Sequence, residues 1–479
     1  MSAGFRRAKI VSTIGPATLD PGVFRSLVQA GVDAVRINFS HTSHEVAERI
    51  VRLARDSSEE FGRPIAVIGD LGGPKIRVGD LDESVVIEPD ETYCFLPEGE
   101  SPPSFGDVAH TIPTTYRRLA REVEPGDRIL LDDGRFEFLV EDVVGECVKA
   151  RAQQAGLLLA HKGINLPGVQ VGAPSLTEKD LEDVAFATEQ GLDYVALSFV
   201  RRVEDVRAAR QAMDKASLLI AKIEKGQALD GLEEILSESD SVMVARGDLG
   251  VELPYEEVPM IQKRIIRMAQ ERARPSITAT QMLESMTTNS RPTRAEVSDV
   301  ANALLDGTDA VMLSGETAVG QHPVEAVETM DRIIRRIEHD RLRGFGRVGA
   351  RVKGHAQIQQ TTSGAVAAAS MQAVERLDSP FIVTFTRSGY TARIVSAQRP
   401  SVPILALSDN CQTFNQMALT WGVQPVLFRG PVSYRTMLDR AREAAQALGL
   451  GEPGDRFVVT AGVPFHVPGT TNMMRIEEL

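Results

Sequence analysis

Two stretches decide the fold: Leu218-Leu-Ile-Ala-Lys-Ile-Glu224 and Val242-Met-Val-Ala-Arg-Gly-Asp-Leu249. Each is a short apolar run that ends on charged residues, and a helical pattern separates them, which is the signature of consecutive β/α units in a parallel sheet. Six more runs of this kind stand at Lys9 to Ile14, Ala34 to Ser40, Ile65 to Leu71, Tyr194 to Val200, Ser276 to Met282 and Ala310 to Glu316. Eight such units predict an α/β fold of the TIM (β/α)8 barrel type, in which active residues sit at the C-terminal ends of the strands. The polar ends of the runs are therefore the candidate site. Helices between the runs are legible too: Ser43 opens an amphipathic pattern from His44 onward, its hydroxyl placed to cap the first turn.

Alternation along a strand sets Lys222 and Glu224 on one side. Two carboxylates from adjacent barrel strands, Glu224 and Asp248, suit one hard divalent cation with positions left for substrate oxygens. A neighbouring lysine can stabilise charge on a transferring phosphoryl group. On spacing alone the same three residues also fit interior ion pairs. The second run ends Arg36-Ile-Asn-Phe-Ser40, which places Arg36, Asn38 and Ser40 on one face; an arginine clamps phosphate in two-pronged fashion. The seventh run ends Ala279-Thr-Gln-Met-Leu-Glu284, and Thr280 by itself reads more readily as a helix cap than as a catalytic group.

Roughly 100 residues separate the third run from the fourth, too many for a βα loop. Strand signals at Ser84 to Glu88, Arg128 to Leu131 and Phe136 to Glu141 mark this segment as an inserted β domain. It leaves from the catalytic face, where a lid would exclude water. The expected organisation is a discontinuous barrel (1–73 and 173–342), an inserted β lid (74–172) and a smaller C-terminal α/β domain (355–479) after a Gly/Arg-rich linker from Arg341 to Gly354.

Composition narrows the function. The 479 residues carry 53 Lys+Arg against 66 Asp+Glu, a net charge of −13 that argues against a nucleic-acid binder. With 43% hydrophobic residues the chain is globular. Three scattered cysteines, Cys94, Cys147 and Cys411, are expected to be reduced thiols, too few for a disulfide framework. The N-terminus shows no signal-like apolar segment, and no run reaches the ~18 apolar residues of a membrane span, so a soluble cytoplasmic protein without membrane contact is expected.

Longer motifs add a resemblance. Lys9-Ile-Val-Ser-Thr-Ile-Gly-Pro-Ala17, Arg36-Ile-Asn-Phe-Ser-His41, Gly163-Ile-Asn-Leu-Pro-Gly168 and Leu176-Thr-Glu-Lys-Asp180 are followed by Ala245-Arg-Gly-Asp-Leu-Gly-Val-Glu252 and Ala279-Thr-Gln-Met-Leu-Glu-Ser-Met286. The set closes with the block from Arg291 to Ala303 and Met312-Leu-Ser-Gly-Glu-Thr-Ala318. Together they resemble the pyruvate kinase family over nearly the whole chain. The resemblance implies transfer of the phosphoryl group of phosphoenolpyruvate to ADP, giving ATP and an enolate that is protonated to pyruvate. It implies Glu224 and Asp248 as ligands of Mg²⁺ (or Mn²⁺) and Lys222 as transition-state stabiliser. Arg36, Thr280 and the Gly247-Asp248 backbone match phosphoenolpyruvate contacts, and Asn38, Arg63, Arg77 and Lys162 match nucleotide-side positions. Thr280, through Ser314 and Glu316, matches a route for the proton. Family members are usually homotetramers, so a homotetramer is implied as well.

One departure bears on cofactors. Many members read Asp-Thr-Lys-Gly-Pro-Glu-Ile-Arg after the third strand and need K⁺, whereas this chain reads Asp70-Leu-Gly-Gly-Pro-Lys75-Ile-Arg77. A fixed ammonium at Lys75 is predicted to replace K⁺ beside Asn38, Ser40, Asp70 and Leu71, so that K⁺ is not required. In the third domain Thr386, Arg387, Ser388, Gly389, Tyr390 and Thr391 open a helix after a strand, a hydroxyl- and glycine-rich turn suited to phosphate. These six residues resemble the family's effector loop, with Gly462 to Asn472 as the loop that closes over it, and imply an allosteric phosphorylated effector. Two other readings share parts of this pattern: a metal-dependent barrel lyase or aldolase acting on pyruvate, and a sensor without turnover.

Overall fold

A computed structural model describes residues 5–100, 108, 110–342, 360–464 and 471–479. The eight expected runs become β1 (Lys9–Thr13), β2 (Ala34–Asn38), β3 (Ala66–Asp70), β12 (Tyr194–Leu197), β13 (Leu218–Ile223), β14 (Ser241–Ala245), β15 (Ser276–Ala279) and β16 (Ala310–Leu313). They form a closed parallel barrel in the order β1-β16-β15-β14-β13-β12-β3-β2. Every residue of β3, β12, β14, β15 and β16 is buried, as expected for strands covered by helices outside and side chains inside. The chain reaches the site just beyond the strand ends: Glu224 follows β13, Asp248 lies in the short helix Arg246–Glu252 after β14, and Thr280 follows β15.

Between β3 and β12 come β4 (Val85–Ile87), β5 (Thr92–Pro97), β6 (His110–Thr114), β7 (Arg128–Leu131), β8 (Phe136–Val144), β9 (Cys147–Ala152), β10 (Gly156–Leu158) and β11 (Ile164–Asn165). Six of these form one sheet, β11-β7-β8-β9-β5-β6, around an apolar cluster of its own that includes Tyr93, Phe95, Phe136 and Phe138. The segment departs from β3 through Gly73, whose φ of +65° favours glycine and whose added Cβ would stand 2.6 Å from the Phe199 ring. On the return, Arg201 donates to the carbonyls of Val171 and Ala173, fixing the segment to the end of β12.

The structure corrects the expectation of three reduced thiols: Cys94 is bonded to Cys147. The separation of 53 positions hides the reason, which is that β5 and β9 are antiparallel neighbours with Cys94 opposite Lys149. Cys411 is free and exposed.

The C-terminal part is a sheet of β19 (Val423–Leu427), β18 (Ile404–Ser408), β17 (Ile382–Phe385), β20 (Arg456–Ala461) and β21 (Met473–Glu478), the last antiparallel and unforeseen in the sequence. Ala418 and Leu419 of this part pack with Val11, Ala34, Ala66 and Ile220 at the N-terminal end of the barrel, and Tyr194 donates its hydroxyl to the Gln416 carbonyl (2.7 Å). One end of the barrel is thus sealed, and the open mouth is the end that carries Glu224 and Asp248. Residues 343–354 of the expected linker, the domain start near 355 and residues 465–470 of the closing loop lie outside the described residues. No helix among the described residues is long and apolar enough to cross a membrane.

Candidate active site

Lys222 is the centre of the mouth. Its ammonium, almost fully buried, stands 2.8 Å from Glu224 Oε1 and 3.0 Å from Asp70 Oδ1, and donates to Ser198 Oγ (2.7 Å). Burial opposes the charge, but Asp70 and Glu224 outweigh it and hold the ammonium above a lysine's ordinary pKa. Asp70 is the reciprocal case: burial favours its neutral form, and Lys222 and Arg36 overcome that and keep the carboxyl below its ordinary value. Arg36 donates through Nε to Asp70 Oδ2 (2.6 Å) and through one terminal nitrogen to Thr13 Oγ1 (3.1 Å). Deleting one member of such a buried group leaves a charge without its partner, at about 3–5 kcal/mol.

Glu224 accepts through its second oxygen from the Phe199 backbone N–H (2.8 Å), and Phe199 adopts φ +56° to present that group. Asp248 is pushed up to about 6, first by burial and then by the Glu224 carboxylate. Two oxygen-donor carboxylates set so close at an open mouth that one raises the other's proton affinity form a pair that a divalent cation relieves, so the residues present fit Mg²⁺ or Mn²⁺. Among the described residues no group of three or more His, Cys, Asp or Glu is placed to hold a metal ion by itself.

Thr280 and Gln281 both have positive φ, 68° and 55°, a tight corner at the end of β15. Thr280 Oγ1 accepts from the Gly247 N–H (2.8 Å), which joins the ends of β14 and β15. Arg246 locks the corner, donating to the Ala279 and Thr280 carbonyls (3.2 and 2.7 Å) while paired with Asp299 (2.7 Å). Glu316 is fully buried, and its two oxygens accept from the Leu283 and Ser314 N–H groups (3.0 and 2.7 Å). The carboxylate braces two loops, and Ser314 Oγ is buried without a hydrogen-bond partner among the described residues.

Lys75 is an exposed residue whose ammonium turns inward to donate to Ser40 Oγ (3.1 Å). Partial burial, then Arg77 and Lys222, lower its pKa, with Asp70 and Glu224 opposing. Asn38 lies opposite Asp70 in the ladder, and its Oδ1 accepts from the Ser40 N–H (3.2 Å). Asn38 therefore joins the Ser40, Asp70 and Lys75 group. The Leu71 carbonyl accepts from the Ser198 hydroxyl (2.7 Å). Between the barrel and the inserted sheet opens a cavity of about 310 Å³ lined by Lys75, Arg77, Lys162, Lys225 and Asp248 among others. Arg77 donates there to the His161 carbonyl (2.8 Å), and Lys162 pairs with Asp132 (2.8 Å).

Arg63 is not part of this site. It precedes β3 and donates to the Val28 and Val32 carbonyls beside Asp33, at the opposite, N-terminal end of the barrel. A residue before a barrel strand cannot reach the mouth beyond its end, and the nucleotide-side expectation for Arg63 is withdrawn. Conversely, Ser198, the Phe199 N–H and Arg246 lie inside motifs already quoted or in the fourth run, yet went unmarked. Their only sequence signal is position at a strand's C-terminal end.

The six residues expected to hold an effector lie beyond β17, in the C-terminal part. Thr386 is buried, Arg387 is exposed, and Gly389 caps the helix Tyr390–Ala397 with φ +75°. Thr413 Oγ1 donates to the Arg387 carbonyl (2.8 Å), and the hydroxyls of Thr391 and Thr471 are in contact (2.8 Å). The half-buried Ser388 is engaged through its backbone, its carbonyl accepting from Arg393 one turn into the helix (3.2 Å). Tyr390 begins that helix, and its ring packs against the apolar cluster of Ala367, Ile394, Val395 and Ile404. Tyr390 keeps its place at the start of the turn's helix, and its half-buried ring packs sideways onto this cluster. What Tyr390 offers a phosphate is its backbone N–H, one of the first in the helix.

Residues 5–327 match the family profile described as pyruvate kinase, barrel domain, and residues 364–477 match that described as pyruvate kinase, alpha/beta domain. The chain belongs to the pyruvate kinase family. It is 43% identical to the pyruvate kinase of Mycobacterium tuberculosis and 44% identical to one from Agrobacterium vitis, each over 99% of this chain and 98% of the relative. Pyruvate kinase 2 of Synechocystis is 43% identical over 98% of this chain and 79% of its own length. As a member of this family the chain is a glycolytic phosphotransferase, and the carboxylate pair, the buried lysine and the cationic cavity are the parts that such chemistry needs.

Proposed function

We propose that the chain transfers the phosphoryl group of phosphoenolpyruvate to ADP at the barrel mouth, without K⁺. The observation that carries this reading is Lys222 held within 3.0 Å of Asp70 and Glu224, with Asp248 alongside. Glu224 and Asp248 hold Mg²⁺ or Mn²⁺, and such a cation, when bound, neutralises charge on the phosphoryl oxygens. Lys222 faces the transferring group from the barrel interior and stabilises charge that grows as the phosphoryl moves. Arg36, oriented by Asp70 and Thr13, and the Gly247-Asp248 backbone bind the phosphate and carboxylate of phosphoenolpyruvate. Arg77 and Lys162, on the lid side of the cavity, receive the diphosphate of ADP. The enolate left behind is protonated on the Thr280 side, with Ser314 next in line; Glu316, committed to two backbone N–H groups, orders that corner. The inserted sheet, 74–172, acts as the lid that dries the cavity.

Lys75 stands where an ammonium covers Ser40, Asn38 and Asp70, and supplies there the charge that K⁺ would bring. Because Asp248 must lose its proton to take a cation, divalent binding is linked to a pKa of about 6. A raised carboxyl favours the protonated site at low pH, so Mn²⁺ affinity is full above pH 7 and falls about tenfold per unit below 6. Mn²⁺ titrations by electron paramagnetic resonance between pH 5 and 8 check this, and a flat profile would contradict it.

The turn from Thr386 to Thr391 serves a phosphorylated effector that regulates turnover allosterically. Thr386, Arg387, Ser388 and Thr391 bring side chains to it, Gly389 and Tyr390 their backbone N–H groups. The glycine cap at the helix start and the Thr391–Thr471 contact, which brings the closing loop's end to the turn, support this reading. Calorimetric titration with sugar phosphates and nucleotides is expected to show binding of at least one, lost in Thr386→Ala/Ser388→Ala and retained in Tyr390→Phe. Absence of binding by all of them in the intact chain removes the effector reading. A homotetramer is part of the proposal, carried only by the family.

A further inference from the structure

The Lys222 ammonium has three close oxygen neighbours: it donates to Ser198 Oγ (2.7 Å) and is ion-paired with Glu224 Oε1 (2.8 Å) and Asp70 Oδ1 (3.0 Å). An ammonium has only three donors, and three oxygens within 3.0 Å crowd out a phosphoryl oxygen. To act in catalysis it must give up one partner, and the surroundings decide which. Ser198 follows β12, is 3% exposed, and cannot move away: its own proton goes to the Leu71 carbonyl (2.7 Å). Because an ammonium only donates, Ser198 Oγ must accept, and its single proton has its nearer acceptor in the Leu71 carbonyl (2.7 Å) and a farther one in Asp70 Oδ1 (3.3 Å), both at the end of the neighbouring strand. Asp70 is equally fixed by Arg36 (2.6 Å). Glu224 is the partner that the phosphotransfer reading also gives to the divalent cation, beside Asp248.

We propose that Ser198 is a positioning residue for Lys222. With Asp70 it keeps the ammonium in place when Glu224 turns to the cation, so that the N–H released from Glu224 points into the mouth. The adjacent residue completes the device: the Phe199 N–H holds the other oxygen of Glu224 (2.8 Å), so consecutive residues fix the lysine and the carboxylate against each other. The inference rests on the phosphotransfer reading of this site.

Ser198→Ala tests it. Without the Ser198 acceptor the ammonium leans on its two carboxylates and competes harder for Glu224. Expected results are a kcat for pyruvate formation lowered about 10- to 100-fold with KM for phosphoenolpyruvate within about threefold, as for a displaced catalytic group. Mn²⁺ binding to the substrate-free protein, read by electron paramagnetic resonance, weakens about tenfold, the lower end of partner losses around a metal ligand. A merely structural serine would shift the melting temperature and leave the kcat-to-KM split and the Mn²⁺ affinity alone. Folded Ser198→Ala with both kcat and Mn²⁺ affinity within twofold of wild type overturns the proposal. Should the alanine variant not fold, Ser198→Cys, similar in volume and a poor acceptor, goes through the same two measurements with the same criteria. Wild-type protein that makes no pyruvate would refute the phosphotransfer reading instead, and the Mn²⁺ comparison would then decide the role of Ser198 by itself.

Discussion

Lys222→Met lowers kcat for pyruvate formation by about a thousand- to ten-thousandfold, the range seen when a cation is removed from a phosphoryl-transfer site. The loss comes from the transition state. Arg36, Glu224 and Asp248 remain to bind phosphoenolpyruvate and cation, so KM changes far less than kcat. Divalent affinity is expected to hold or tighten, because Glu224 no longer shares an oxygen with an ammonium at 2.8 Å. The variant is also less stable, since Asp70 loses the first of the two cations that depress its pKa. Circular dichroism and Mn²⁺ titration separate this from unfolding. A kcat drop smaller than tenfold in folded, metal-competent protein would contradict the assignment of Lys222.

Lys75→Glu converts the enzyme to one that needs K⁺. The substitution removes the ammonium that donates to Ser40 Oγ at 3.1 Å and places a carboxylate beside Asn38, Ser40, Asp70 and the Leu71 carbonyl. A unit charge at about 6 Å in an effective dielectric near 20 is worth roughly 3 kcal/mol, about a hundredfold in rate. With tetramethylammonium as the sole monovalent cation, kcat of the variant is therefore expected to fall about a hundredfold. Saturating K⁺ restores at least a tenth of it, because oxygen donors now outnumber fixed cations there. Equal rates in the two salts for this variant would mean that the Lys75 position does not govern monovalent-cation use.

How much of this was legible in the residues differs from part to part. All eight barrel strands were, because strands buried on both faces read as unbroken apolar runs and their polar ends fall where a barrel keeps its chemistry. Lys222, Glu224, Asp70 and Arg36 meet at those ends as a consequence. Arg63 was misplaced because a motif match took no account of which end of the strand it precedes. The packing of the Tyr390 ring was not legible because a contiguous motif does not show which side chains turn inward. The Cys94–Cys147 bond was hidden because strand neighbours 53 positions apart leave no spacing signal. Ser198 went unmarked for a different reason: a serine at a strand end is common, and only the lysine brought to it from the next strand makes it informative. The edge strand Met473–Glu478 was invisible because its partly exposed, charge-rich sequence lacks a core face.

The central claim is that one buried lysine between two carboxylates runs phosphoryl transfer here while a second lysine does the work of a monovalent cation. The most direct test is the turnover of wild-type protein with phosphoenolpyruvate, ADP and Mg²⁺, measured in K⁺ and in tetramethylammonium at equal ionic strength. The account predicts pyruvate and ATP in equal amounts and kcat values in the two salts within about twofold, since the fixed ammonium makes the added ion redundant. Turnover confined to K⁺, or none in either salt, would contradict it.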